Sequence, residues 1–172
     1  MSVSWFAVNV RTSAEARVEL NLREKCEGTF LPTYVECRHY SDRVKQISAA
    51  LFPGYLFCRF NPDRRLPILQ TPGVRHVVGG PAGPIPVDDT EIFGLQKAVM
   101  QTLSARPWPF LRRGDRVRIE HGSLAGVEGI LLYEKGSHLL VLSVELLQRS
   151  VAIQIERNWI RPAQAFRLAA TA

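Results

Sequence analysis

The chain has 172 residues, of which 46% are hydrophobic and 22% charged, a balance too apolar for wholesale disorder. Its length suits one ordinary domain or two small ones. Lys and Arg number 22 against 16 Asp and Glu, a net charge of +6 that permits a polyanionic partner without requiring one. The three cysteines, at 26, 37 and 58, include no Cys-x-x-Cys pair. An odd, unspaced set argues against a disulfide scaffold and for a reducing cytosol. Cys37 and His39 stand two apart, but no second ligand pair follows at zinc spacing, so no metal site is expected. The start, Met-Ser-Val-Ser-Trp, lacks the basic and apolar regions of a signal peptide. The longest apolar stretch, Leu139 to Leu147, is broken by Ser143 and Glu145 and is far short of the roughly 18 residues that span a bilayer. A cytoplasmic protein without membrane contact is expected.

Ser4 to Val10 reads as a strand, with Phe6, Val8 and Val10 on one face and Trp5, Ala7 and Asn9 on the other. Thr12-Ser13-Ala14-Glu15 has capping-box spacing and predicts a helix to about Cys26. Ala14, Val18, Leu22 and Cys26 form its apolar stripe, and Gly28 is its expected stop. Phe30 to Cys37 is strand-like, and a turn at Ser41-Asp42-Arg43 returns the chain as Val44 to Ile47. Gly54 to Phe60 alternates Leu56, Cys58 and Phe60 against Tyr55, Phe57 and Arg59. A short helix capped by Asp63 and a strand over Val74 to Val78 follow. After a Pro- and Gly-rich loop, Gly79 to Pro86, Asp88 or Asp89 caps a helix with Ile92, Leu95, Val99 and Leu103 at helical spacing. Short turns between the middle strands predict an antiparallel sheet with packed helices, an α+β domain.

Two prolines within Ala105-Arg106-Pro107-Trp108-Pro109 predict an extended joint. Beyond it the period is that of strands alone. Arg116 to Ile119 and Val127 to Tyr133 alternate or run apolar, and Glu134-Lys135-Gly136-Ser137 is a hairpin turn. Leu139 to Leu146, Ser150 to Ile155 and Trp159 to Arg161 complete five short strands, the content of an SH3-like barrel. No Gly-x-Ser-x-Gly, P-loop, His-Glu-x-x-His or dinucleotide fingerprint is present, so no enzyme and no cofactor is expected. The carboxylates Asp88, Asp89 and Glu91 sit at a helix start, where they complement the macrodipole.

Three segments then fall in a telling order. They are Ser4-Trp5-Phe6-Ala7-Val8-Asn9-Val10 with its helix, Phe52-Pro53-Gly54-Tyr55-Leu56-Phe57 followed by Thr71-Pro72-Gly73-Val74, and Arg113-Gly114-Asp115-Arg116-Val117-Arg118-Ile119 followed by Gly122 to Gly129. The chain resembles the NusG family of transcription elongation factors over residues 4 to about 162. The resemblance implies an NGN domain over residues 1–104, a Pro-rich linker over 105–109, a KOW barrel over 110–162 and a tail over 163–172. Leu146-Leu147-Gln148-Arg149-Ser150-Val151-Ala152-Ile153 departs from the housekeeping pattern and is similar to the specialised RfaH-like and capsule-operon antiterminators.

The resemblance implies that the NGN domain grips RNA polymerase through an apolar surface. Trp5, Ala7, Asn9, Tyr55 and Phe57 share sheet faces that helices on the Phe6 and Cys58 side would leave partly uncovered, with Phe52 and Pro53 at the rim. Arg64 and Arg65 would face the other side of the polymerase cleft. Arg11, Arg17, Asn21, Arg75 and His76 fall at or beside positions that contact non-template DNA in specialised relatives; Arg38, His39, Arg43 and Lys45 form a weaker basic set. For the barrel, the implied partner is a small-subunit ribosomal protein or Rho, met at Leu146, Leu147 and Arg149. RNA binding through Arg112, Arg113, Arg116 and Arg118 is the alternative for the barrel. The readings left open are a specialised antiterminator, a general elongation factor that engages Rho, and a ribosome-associated RNA-binding protein.

Overall fold

In a computed structural model, residues 2–39, 42–100, 105–110, 114–134 and 136–162 are described. Leu103, Arg112, Arg113, Lys135, the start of the turn at Ser41 and the tail from 163 lie outside them. Side-chain alternation in two segments builds the N-terminal sheet. Strand β1 (Ser4–Val10) is followed by helix α1 (Glu15–Leu22), then β2 (Gly28–Phe30), β3 (Thr33–His39), β4 (Val44–Ala50) and β5 (Tyr55–Phe60). A 3-10 turn and helix α2 (Leu66–Leu69) lead to β6 (Val74–Val77). The sheet order is β2-β5-β1-β6, antiparallel throughout, and β3 and β4 stand apart as a two-stranded hairpin.

Register puts Phe6 opposite Cys58 and Val8 opposite Leu56 on one face, and Trp5 opposite Arg59, Ala7 opposite Phe57 and Asn9 opposite Tyr55 on the other. The first face buries Phe6, Val8, Val10, Leu56, Cys58 and Phe60 against Val18 and Leu22 of α1 and Ile68 of α2. The stripe of Ala14, Val18, Leu22 and Cys26 faces this core as expected. Helix α1 is nevertheless shorter than its pattern, and Gly28 opens a strand rather than ending a helix. The capping box does not form: Ala14 is the N-cap without a side-chain bond, and Ser13 sits at φ 69°. The short helical turn is capped by Asn61, whose Oδ1 accepts from the Asp63 N–H at 3.0 Å, not by Asp63.

The second face is covered too. After a small hairpin of β7 (Gly79–Gly80) and β8 (Gly83–Pro84), Val87 donates its N–H to the Trp5 carbonyl at 2.8 Å and aims the chain across the sheet. Helix α3 (Asp89–Met100) then lays Ile92, Leu95 and Ala98 over Ala7, Phe52 and Phe57. Those three residues, expected on a partly bare ledge, are 0% exposed. The physical reason is that α3 offers an apolar stripe of its own, and each buried Ile or Leu stabilises the fold by about 1.5–3 kcal/mol.

The segment expected as a joint carries strand β9 (Arg106–Trp108), which pairs with β13 (Arg149–Ile155). With β10 (Asp115–Ile119), β11 (Glu128–Glu134), β12 (Ser137–Val144) and β14 (Ile160–Pro162) it forms an antiparallel sheet of order β14-β10-β11-β12-β13-β9, the small barrel of the C-terminal half. The Arg106 guanidinium lies 4.7 Å from the Trp108 ring centroid and pairs with Glu134 at 2.9 Å, which holds β9 against the barrel. Val117, Ile119, Leu140, Leu142, Val151 and Ile153 fill its interior and join the cluster that contains Phe57, Ile92 and Leu95. Phe57→Ala is therefore a core truncation. It should lower unfolding free energy by about 3–5 kcal/mol in urea denaturation, whereas an exposed residue would change it by less than about 0.5 kcal/mol.

Candidate functional site

The turn before Tyr55 is built by three distant groups. The buried Glu15 carboxylate accepts the Gly54 N–H at 2.8 Å. The Gly54 carbonyl in turn accepts from Val10 N–H at 2.9 Å and from Asn9 Nδ2 at 3.2 Å. Gly54 has φ 81°, a conformation that favours glycine. This scaffold presents Pro53 and the half-buried Tyr55 at the surface above the buried Phe52 and Phe57. Phe52 meets Phe57 edge-on at 5.9 Å, and Phe30 stacks on Phe57 at 6.1 Å. Trp5 is half-buried, and its ring reaches across to Gly28, where an added Cβ would sit 3.5 Å from it. The expected ledge thus consists of a sealed floor and a rim of Trp5, Asn9, Pro53 and Tyr55.

The barrel meets that rim. Arg149 holds its guanidinium 5.2 Å from the Tyr55 ring centroid and donates from Nη1 to the Pro53 carbonyl at 3.4 Å. Leu146 and Leu147, on the 3-10 turn after β12, pack half-buried against the same core. Glu145 donates its N–H to Glu91 Oε1 of α3 at 3.2 Å. At Gly94 an added Cβ would lie 3.4 Å from Val127 and 3.5 Å from Leu142, in ordinary contact with both, so helix and barrel pack closely here. Burial pushes the Glu91 carboxyl above its usual range, against the opposing effect of the Glu145 N–H. Thr90, through its hydroxyl and N–H, holds Asp88 below its own. Beside this contact an open cleft of about 680 Å³ separates the first turns of α3 from β10 to β12, lined by Phe93, Arg116, Arg118, Glu128 and Ile130 among others.

Arg11, Arg17, Asn21, Arg75 and His76, expected at non-template DNA, are exposed. Arg11 donates its backbone N–H to the Gly73 carbonyl at 2.8 Å, and His76 pairs opposite Asn9, so Arg11, Arg75 and His76 share the β1–β6 edge of the sheet. Arg17 and Asn21 lie one turn apart on α1, away from Val18 and Leu22. Arg64 and Arg65 are exposed at the 3-10 turn, and Arg65 bonds the Pro62 carbonyl at 3.4 Å. On the outlying hairpin Arg38 pairs with Glu36 at 3.2 Å, while Arg43 and Lys45 are exposed. Arg116 and Arg118 are exposed on the barrel, Arg118 at 4.0 Å from Glu128. Sequence reading assigned Glu15 and Glu91 only local helix-start roles and did not single out Gly94. For Gly94 a signal existed: glycine inside a helix costs about 1 kcal/mol relative to alanine, which points to a close approach.

The described residues define an α+β domain followed by a small barrel, with candidate docking groups on strand ends and turns. Residues 3–96, more than half of the chain, match the family described as "Transcription termination factor nusG". NusG of Helicobacter pylori strain 26695, a transcription termination/antitermination protein, is 23% identical over 167 residues, which cover 89% of this chain and 94% of that protein. NusG of Thermus thermophilus is 26% identical over 151 residues, covering 75% and 81%. A solved structure described as "Domain interaction in Thermotoga maritima NusG" shares the fold with a TM-score of 0.54 at 18% identity, over 95% of this chain and 99% of that one. The chain belongs to the NusG family: it is a transcription factor and not an enzyme. Among the described residues no helix is long and apolar enough to cross a membrane.

The contact between helix and barrel can be tested at Gly94. Gly94→Leu should separate the domains, seen as a larger radius of gyration in solution scattering, since overpacking costs about 1–3 kcal/mol. Glu91 gives a pH signature. Its pKa is raised by burial in this arrangement, so where undocking relieves that burial its contribution favours docking below the ordinary carboxylate range and is lost as pH rises through the raised value. Glu91→Gln keeps an acceptor for the Glu145 N–H and should remove that dependence, measured as domain separation against pH.

Proposed function

We propose that this chain is an elongation and antitermination factor that binds RNA polymerase through the rim of Trp5, Asn9, Pro53 and Tyr55, braced from below by Ala7, Phe52 and Phe57. The observation that carries the reading is the seating of Arg149 on Tyr55 and Pro53. A half-buried aromatic rim that a second domain already covers is a surface built for a partner. Binding polymerase there requires the barrel to move aside. Arg64 and Arg65 supply a second contact across the polymerase cleft. Tighter binding to the active conformation than to the paused one then favours elongation without covalent chemistry.

On the same reading, the β1–β6 edge of Arg11, Arg75 and His76, with Arg17 and Asn21 of α1, contacts the displaced non-template DNA strand, chiefly through phosphates. Once released, Leu146, Leu147 and Arg149 are free for a protein partner, either a small-subunit ribosomal protein or Rho. The segment from Leu146 to Ile153 supports a factor restricted to particular operons. The relatives' common description as termination/antitermination proteins supports a general factor instead. A map of chromatin occupancy separates the two, since the first predicts a few operons and the second most transcribed genes.

Capture of core RNA polymerase by the tagged chain tests the surface. Trp5→Ala with Tyr55→Ala should reduce capture at least tenfold, the loss of about 1.4 kcal/mol or more at a binding hot spot. Arg149→Glu should increase it by removing a contact of the closed arrangement. If all three proteins capture polymerase equally, the surface is wrongly assigned. Arg11→Ala should weaken binding to an elongation complex with exposed non-template DNA by about tenfold, the worth of one charged contact, and leave free polymerase binding intact. Equal losses in both assays would remove its DNA role.

A further inference from the structure

The chain makes a tight turn just before β5. Tyr55 donates its N–H to the Phe52 carbonyl at 3.0 Å, with Pro53 and Gly54 between them. Proline at the second position and φ 81° at the third are the marks of a type II turn. Types I and II differ in which way the peptide between the two central residues faces. Across a trans peptide the carbonyl and the N–H point in opposite directions. Whatever holds the Gly54 N–H therefore also aims the Pro53 carbonyl.

Glu15 holds it. Its carboxylate accepts the Gly54 N–H at 2.8 Å from thirty-nine residues away. Glu15 is the first residue of α1 and is only 8% exposed. A carboxylate so far withdrawn from water is unfavourable unless it is bonded, and an N–H given to a charged acceptor is among the stronger bonds. The Gly54 carbonyl is pinned in turn by Val10 and Asn9. With the N–H turned inward, the Pro53 carbonyl faces the other way, where Arg149 Nη1 reaches it. The same guanidinium lies over the Tyr55 ring. Carbonyl and ring thus form one acceptor pair on the outer side of the turn.

We propose that Glu15 is a positioning residue of the polymerase-binding rim: from inside the fold it sets the Pro53–Gly54 peptide so that the Pro53 carbonyl and the Tyr55 ring stand outward together. This rests on the reading of the rim proposed above. It goes beyond that reading by placing a determinant of binding in a buried side chain at the start of α1. The role requires an acceptor oxygen at that reach, charged or not. A glutamate that only complements the helix macrodipole requires the charge and not the reach. Substitution separates the two. Glu15→Gln keeps the length and an acceptor oxygen and removes the charge. Glu15→Asp keeps the charge and draws the oxygens back by one methylene.

Capture of core RNA polymerase by the full chain tests this, in an Arg149→Ala background where that side chain no longer competes for the turn. For equal amounts of folded protein, Glu15→Gln should capture within about twofold of its parent, and Glu15→Asp should capture at least about tenfold less. Amide hydrogen exchange at Gly54 should be slow in the parent and in Glu15→Gln, and at least about tenfold faster in Glu15→Asp. Equal capture by the two variants, or the reverse order, would overturn the proposal. So would an unprotected Gly54 amide in the parent, which is decisive even if neither variant folds. Trp5→Ala with Tyr55→Ala in the same background is the control on the rim itself. Full capture by that protein means that the rim reading has failed, and the role of Glu15 in binding falls with it.

Discussion

Burial of helix α3 on two sides is the constraint on which the rest of the molecule depends. Ile92, Leu95 and Ala98 cover Ala7, Phe52 and Phe57 in the N-terminal sheet, while Gly94, a turn before Ala98, packs near Val127 and Leu142 of the barrel. One short amphipathic segment therefore sits in a single core shared by the sheet and the barrel. Moving the barrel exposes apolar surface on both partners, an unfavourable change of about 25 cal/mol per Å², so anything that opens the molecule must offer a comparable contact. Polymerase binding at the Trp5 and Tyr55 rim, as proposed here, would do so.

The same geometry links the two proposed docking surfaces. Arg149 and the Leu146–Leu147 turn sit on or beside the rim they would leave free on release. Neither surface can be fully occupied by an outside partner while they occupy each other. Binding at one then favours binding at the other, by differential affinity for the open arrangement and without any transmitted strain. Among the described residues, polar bonds across the junction include Arg149 on Pro53 at 3.4 Å and Glu145 on Glu91 at 3.2 Å, the first of them long. An open cleft of about 680 Å³ lies beside the first turns of α3 at this junction. The apolar packing of this contact is suited to exchange for another apolar partner.

Local patterns were a sound guide where one interaction dominates. Alternation assigned Phe6, Val8 and Val10 to one face of β1, and Leu56, Cys58 and Phe60 to the matching face of β5. The stripe on α1 also met its core. Boundaries and caps were less legible, because distant partners competed successfully with the local ones. Glu15 had the spacing for a capping box but bonds Gly54, thirty-nine residues away. Asn61 rather than Asp63 caps the turn at Pro62, since its side chain reaches an N–H two residues on. Pro107 and Pro109 did promise extended backbone, yet that backbone is strand β9, because the Pro107-Trp108 segment found the free edge of β13.

What the sequence by itself determined is the set of amphipathic faces, the order of strands and helices and the family to which they belong. Periods of two and 3.6 residues are properties of the chain's own backbone and need no partner to be read. Which of two apolar faces ends up covered was decided only in three dimensions. Phe57 and Tyr55 stand on the same face of the same strand, and nothing in their alternation says that α3 buries the first while Arg149 merely shields the second. That difference depends on where distant segments come to rest, and so on the summed burial of the whole chain rather than on any local preference.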